Sequence, residues 1–194
     1  MIKVTVKHFL GAAFLVLAAY VAPSAASMLP LNFNDFTAIP VDRVAISSDG
    51  STAVFSEDPI FSPITLEHLN FAVPDNAVTL SFDYELAIPA GNEDYFDFYL
   101  NDLTTPIVSQ GGLGLLALTG SPVFDLTPYS GGKTSLVFHL IAGFGDQELT
   151  SQLTLRNPRL FLISVDETST FLLLTLGLAG FLARYRFPMM RRGS

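Results

Sequence analysis

The segment Val78–Ile88, VTLSFDYELAI, decides the fold, because apolar and polar residues alternate along it with a period of two. One side carries Leu80, Phe82, Tyr84 and Leu86, and the other carries Thr79, Ser81, Asp83 and Glu85. Strict alternation predicts a β-strand with one face in a core and the other in water. We therefore expect Phe82 inside the protein and Asp83 outside.

Two further segments, DYFDFYLN (94–101) and KTSLVFHLIA (133–142), repeat this alternation. Turn-forming clusters separate the strands. They are SSDGS (47–51), PDN (74–76), PAGNED (89–94), SGGK (130–133) and GFGDQ (143–147). No convincing helix lies among them. Eight to ten short strands with frequent turns predict an all-β, antiparallel β-sandwich.

The charge is distributed unevenly along the 194 residues, whose formal net charge is −8. Between Ser27 and Val165 the chain has four basic residues and sixteen acidic ones, a formal charge of −12. The basic residues there are Arg43, Lys133, Arg156 and Arg159. Such a surface repels phosphate backbones, so nucleic acid is excluded as a partner.

The N-terminus predicts a secretory signal peptide over residues 1–26. Lys3 and Lys7 precede an apolar run from Phe9 to Ala22, and small residues follow it. This pattern places cleavage between Ala26 and Ser27. An uncleaved membrane anchor is the alternative. Because the chain has no cysteine, no disulfide stabilises the exported domain, which we expect to span residues 27–164.

The C-terminus, residues 165–194, has three parts: a polar motif (165–170), an apolar helix (about 168–184) and a basic tail (184–194). The apolar run Phe171–Ala183 would span about 20 Å as a helix, against a hydrocarbon core of about 30 Å. The helix comes closer to the length of a membrane span if residues 168–170 are included and if the side chains of Arg184 and Arg186 reach back to the membrane surface. The tail, which should stay cytoplasmic, contains Arg184, Arg186, Arg191 and Arg192.

This three-part order resembles the PEP-CTERM sorting signal of Gram-negative bacteria. The family motif is V-P-E-P-S/T, which Val165, Glu167 and either Ser169 or Thr170 match, while Asp166 and Thr168 replace the prolines. The segment LGLAG (176–180) is typical of the family helix. The resemblance implies an exosortase-type membrane protease as partner, a membrane-tethered precursor, and release at the cell surface or into the extracellular matrix. A plain tail anchor without processing is the alternative.

The exported domain resembles the jelly-roll, carbohydrate-binding-module-like domains of PEP-CTERM proteins. The likeness rests on FNDF (33–36), SFDYEL (81–86), the D-x-F/Y-x-x-x-L-N-D strand (94–102) and residues 121–161, where several family positions are matched. These positions are Asp125, Gly143, Gly145, Asp146, Ser151 and Asn157. Arg156 stands where the family usually has an aspartate, around which a calcium site would be built.

Tyr95, Asp97 and Tyr99 should point together from one face of their strand, a pattern typical of a sugar-binding platform. The alternative is that these tyrosines pack under a neighbouring loop. No catalytic residue is predicted, because neither His68 nor His139 has a partner at a useful spacing, and G-x-S-x-G is absent. A carboxylate pair such as Asp94 with Asp97 arises by chance in so acidic a chain.

Calcium is a further candidate ligand, because acidic loops supply the oxygen atoms that it prefers. The loops contain Asp49, Asn92–Asp94 and Asp146–Glu148. None has the spacing of a dedicated calcium loop, so we expect solvated loops and assign no metal or cofactor, leaving structural calcium as an alternative.

Together, these patterns predict an exported structural or adhesive protein, which the family resemblance links to exopolysaccharide and biofilm. The alternative is a glycan-binding module that acts through the tyrosine-rich strand face. A secreted hydrolase is a third and weaker alternative.

Overall fold

The computed structural model describes residues 26–112, 117–143 and 150–163, which form twelve strands joined by turns. The strands are β1 Ala26–Pro30, β2 Thr37–Ile39, β3 Val44–Ile46, β4 Thr52–Ser56, β5 Ile64–Ala72, β6 Ala77–Ala87, β7 Tyr95–Leu100, β8 Val108–Gly111, β9 Ala117–Gly120, β10 Val123–Asp125, β11 Lys133–Ile141 and β12 Gln152–Ile163. Three short 3₁₀ helices lie at Phe33–Asp35, Val41–Arg43 and Thr127–Tyr129.

The strands form two sheets, and every pairing is antiparallel. The seven-stranded sheet has the order β10-β6-β12-β4-β3, with β1 added to β12 and β9 added to β6. The five-stranded sheet has the order β2-β5-β11-β7-β8. The predicted all-β class and antiparallel two-sheet sandwich are therefore confirmed.

Aromatic side chains from the inner faces of both sheets fill the core. Phe82 of β6 is fully buried, and its ring centroid lies 5.0 Å from that of Phe98 and 5.1 Å from that of Phe138. Both pairs meet edge to face, a favourable geometry for aromatic rings. The alternation in Val78–Ile88 thus gave the correct inward face, and Asp83 lies on the outer face as expected.

The number of strands exceeds the eight to ten expected. The additional strands are short: β2, β3 and β10 have three residues each. A strand of three residues is too short to show an alternating pattern, and its pairing is decided by the neighbouring strand. The long strands β6, β7 and β11 begin and end within one residue of the segments predicted from alternation.

The predicted targeting segments fall almost entirely outside the described residues. The sorting motif, the apolar helix and the basic tail all lie beyond Ile163, while Ala26 and Ser27, the predicted cleavage junction, begin β1. The loop residues Asp146 and Glu148 are also outside the described ranges. In the ranges that are described, no helix is long and apolar enough to cross a membrane.

Candidate functional site

The outer surface of the five-stranded sheet carries the residues that the sequence singled out. Across β11 and β7, Ile141 pairs with Tyr95, His139 with Asp97, and Val137 with Tyr99. We call this surface the five-stranded face. It comprises Thr65, Glu67, Tyr95, Asp97, Tyr99, Ser109, Val137, His139 and Ile141.

Asp97 lies on β7 between Tyr95 and Tyr99, and is only 7% exposed. Its Oδ2 atom accepts a hydrogen bond from the hydroxyl of Tyr99, with the two oxygens 3.2 Å apart. Its Oδ1 atom is buried and has no hydrogen-bond partner in the part of the chain that the structure describes. A carboxylate oxygen in this state is costly, because burial removes water without supplying a donor.

His139 lies across the strand pair from Asp97 and is half-buried. Its ring centroid is 5.0 Å from that of Tyr99. Burial lowers the pKa of His139, and the negative charge of Asp97 opposes that shift only in part. The imidazole is therefore held toward its neutral form, in which it offers one donor and one acceptor.

The two tyrosines flank Asp97 along β7 and are both half-buried. The hydroxyl of Tyr95 donates to the Oε1 atom of Glu93 at 2.6 Å. This hydrogen bond, more than burial, raises the pKa of Tyr95, whereas burial is the main reason that the pKa of Tyr99 is raised. Both phenols thus stay protonated, and their hydroxyls are fixed by acidic partners on the same surface.

Apolar side chains extend the five-stranded face beyond Tyr99. Leu69 of β5 and Ile107, just before β8, are 46% exposed each. Both belong to the outward-facing series, since Glu67 and Ser109 pair across the sheet with outward residues. The surface therefore combines aromatic rings, apolar edges and hydrogen-bonding groups. That composition suits an uncharged or positively charged polar ligand with apolar faces.

A second group of polar side chains, Glu57, Asp94 and Ser151, is buried. Asp94 is fully buried, and its carboxylate accepts hydrogen bonds from the Ser151 hydroxyl and from the backbone N–H of Gly143. The N–H of Ser151 in turn donates to Oε2 of Glu57, which is 4% exposed, at 2.7 Å. Asn92, two residues before Asp94 in the chain, is also buried.

The expectation that the loop Asn92–Asp94 is solvated is therefore wrong. The loop packs inward because Gly143 lacks a side chain: a Cβ atom there would lie 1.5 Å from the carbonyl oxygen of Glu93. Asp49 does behave as expected, since it accepts hydrogen bonds from Ser47 and Ser51 within its exposed turn, and these bonds lower its pKa.

No group of three or more acidic, histidine or cysteine residues suited to a metal ion occurs among the described residues. Arg156, where the sequence resemblance would place an aspartate, pairs with Glu85 at 2.9 Å on the outer face of the seven-stranded sheet. His68 packs edge to face between the rings of Phe36 and Phe71, at the rim of the core.

Two relationships were not visible in the sequence. The proximity of His139 to Asp97 depends on the register of β11 against β7, which joins residues 42 positions apart. The cluster of Glu57, Asp94 and Ser151 joins three distant loops. The only available signal was that Asp94 and Ser151 occur in segments that resemble the jelly-roll family.

Comparison with protein-family models gave no match, and comparison with curated proteins gave none. Solved structures gave distant likenesses. A cleaved adhesin domain of Lys-gingipain from Porphyromonas gingivalis shares 14% identity at a TM-score of 0.42, covering 69% of this chain and 97% of that one. A carbohydrate-binding module from Caldicellulosiruptor saccharolyticus, in complex with mannohexaose, shares 14% at 0.43, covering 70% and 97%.

A carbohydrate-binding module from Clostridium stercorarium, in complex with cellobiose, shares 12% identity at a TM-score of 0.35, covering 75% of this chain and 99% of that one. Carbohydrate-binding modules are the class that the sequence resembles.

Proposed function

We propose that the sandwich domain binds carbohydrate, without catalysis, through the five-stranded face. The observation that carries this proposal is the arrangement of Tyr95, Tyr99 and His139 around the buried carboxylate of Asp97. Two tyrosine rings with fixed hydroxyls, a histidine ring and a carboxylate acceptor suit a pyranose, since its apolar face stacks on rings and its hydroxyls need partners.

The fixed hydroxyls support this assignment. Each tyrosine is already hydrogen-bonded to a neighbouring carboxylate, Tyr95 to Glu93 and Tyr99 to Asp97. Little side-chain freedom is therefore lost when a ligand stacks on the rings, and such preorganisation favours binding.

A non-catalytic role is also part of the proposal. Asp94 and Asp97, the carboxylate pair that a glycosidase would use, lie on opposite sides of their sheet. Asp94 is enclosed in the sandwich by Ser151 and Gly143, whereas Asp97 lies on the outer face. The two carboxylates do not flank one accessible position, as glycoside hydrolysis requires.

Delivery to the cell surface is a further part of the proposal, and it rests on the sequence. The PEP-CTERM-like segment would tether the precursor until an exosortase-type protease releases it to meet exopolysaccharide. The intact mass of the native extracellular protein would test this, since a released chain lacks the residues from about Thr168 onward. A chain that still ends at Ser194 in cells known to hold an exosortase would overturn it.

The binding proposal is tested with the full-length chain, purified in a detergent without a sugar head group, on a glycan array. We expect selective retention that Tyr95→Ala and Tyr99→Ala each abolish. Tyr129→Ala, which removes a half-buried tyrosine from the turn before β11, is the control and should leave binding intact. Failure to bind any glycan would refute the proposal and favour the structural matrix role.

A further inference from the structure

We infer that the ligand of the five-stranded face is an amino sugar polymer with free, positively charged amines, rather than a neutral or acidic polysaccharide. This inference rests on the proposed function, because it names the ligand class of the same site. It follows from the sign of the charges around Asp97 and from the state of its Oδ1 atom.

Within residues 26–112, 117–143 and 150–163, carboxylates alone supply the formal charge close to the tyrosines. Glu67 lies on the face opposite Val137, Glu93 binds the hydroxyl of Tyr95, and Asp97 lies between the two tyrosines. A uronate or sulfate group brought here would meet like charge. Acidic polysaccharides are therefore disfavoured at low ionic strength.

The four basic residues of the domain lie elsewhere. Arg43 follows β2, three strands from β7, and its guanidinium pairs with Asp58 at 2.6 Å. Lys133 begins β11, six residues before His139, which is about 20 Å along an extended strand. Arg156 and Arg159 belong to β12 in the opposite sheet, where they lie close to Glu85 and Asp83.

The Oδ1 atom of Asp97 is the second and independent observation. The side chain of Asp97 is only 7% exposed. Among the described residues, no group donates a hydrogen bond to this Oδ1 atom. An arriving ammonium group would supply both a donor and a compensating charge. Hydrogen bonds to a charged partner contribute more than neutral ones, so an amine gains more here than a hydroxyl or an acetamide.

The flanking rings are compatible with a cation. Tyr95 and Tyr99 lie on either side of Asp97 along β7, and tyrosine faces attract ammonium groups. A small rotamer change of His139, which leaves the hydrogen bond from Tyr99 to Asp97 in place, would admit the amine to the carboxylate, and such changes are common on binding.

The test is isothermal titration of the full-length chain, in a detergent without a sugar head group, at a pH where the amines are charged. The probes are β-1,4-linked trimers of glucosamine and of N-acetylglucosamine, and a galacturonate trimer. We expect the glucosamine trimer to bind about tenfold more tightly than the acetylated one, and the galacturonate trimer to bind weakest.

Because the domain carries −12, any polycation is attracted to it, so matched variants are needed. Asp97→Asn should reduce the preference for the amine to less than about threefold. Asp83→Asn removes the same charge from the outer face of the opposite sheet and should leave the preference unchanged. If Asp97→Asn does not fold, the wild-type preference is measured between about 0.02 M and 0.5 M salt, where it should shrink.

The outcomes separate the two proposals. Equal binding of the charged and acetylated trimers, or tighter binding of galacturonate, would overturn the amino-sugar inference and leave carbohydrate binding in place. A preference that survives Asp97→Asn, or that does not respond to salt, would also overturn it. No binding of any trimer, together with a negative glycan array, would refute the proposed function itself.

Discussion

Replacing Phe82 with alanine tests the packing of the two sheets most severely. The side chain is fully buried and contacts four other rings, which are Phe96, Phe98, Phe124 and Phe138 at centroid distances of 5.0–6.3 Å. Phenylalanine-to-alanine changes in cores cost about 3–5 kcal/mol. Because favourable ring pairs are lost as well, we expect the upper part of this range, about 4–5 kcal/mol.

The measurement is urea denaturation followed by circular dichroism and tyrosine fluorescence, since the chain contains no tryptophan. With a slope of about 2 kcal/mol per molar urea, the midpoint should fall by about 2 M. Phe61→Ala is the matched control: this side chain is 56% exposed and should cost no more than about 0.5 kcal/mol.

Asp83→Ala examines the neighbouring position on the outer face. It removes the acceptor for Ser121 and Asn157, and should cost about 1–2 kcal/mol at this partly exposed site. Equal losses for Phe82→Ala and Asp83→Ala would refute the register, because a slip of one residue exchanges the two faces of a strand.

Three further changes examine the buried polar group and the histidine. Ser151→Ala removes a donor from the fully buried carboxylate of Asp94 and should lower the free energy of unfolding by about 1–3 kcal/mol in urea titration. Gly143→Ala places a methyl group against the carbonyl oxygen of Glu93 and should cost about 1–3 kcal/mol, measured as a lower melting temperature. Burial lowers the pKa of His139, so the unfolded state binds protons first as the pH falls below 6.5. Stability should therefore decrease from pH 6.5 downward to the folded pKa of this histidine, and His139→Gln should flatten the stability curve in that window.

Each of these changes has a contrary outcome. A neutral Ser151→Ala would mean that Asp94 is hydrated instead of enclosed. Gly91→Ala is the control for Gly143→Ala. A Cβ atom at Gly91 would have open space around it, so the only cost there is the backbone strain of its positive φ of 97°. If Gly143→Ala lowered the melting temperature no more than Gly91→Ala does, the contact with the carbonyl oxygen of Glu93 would have no steric effect. A stability curve that is unchanged by His139→Gln would contradict the burial of the imidazole.

The long strands could be predicted from the sequence because each buries one face. The alternation around Phe82, Phe98 and Phe138 predicted the inward faces of β6, β7 and β11, and the ends of these strands to within one residue. The same period-two rule placed Tyr95 and Tyr99 on one surface, since residues two apart on a strand share a face. The binding role of these tyrosines stays a prediction.

The remaining features depend on distances in space that a single sequence does not encode. His139 meets Asp97 only through the register of β11 against β7. The inward turn of Asp94 depends on Gly143, which belongs to a different loop 49 residues later. An acidic residue in a turn ordinarily faces water, so the composition of Asn92–Asp94 indicated a solvated loop.

We propose that carbohydrate binds the outer face of the five-stranded sheet. It is tested most directly by mapping backbone amide chemical shifts of the isotope-labelled full-length chain while a binding oligosaccharide is titrated. We expect the shifts to concentrate on Tyr95–Tyr99 and on residues 137–141, while the outer face of the opposite sheet around Asp83 and Arg156 stays unchanged. Shifts confined to that opposite sheet, or no saturable shift with any glycan, would contradict binding at the five-stranded face.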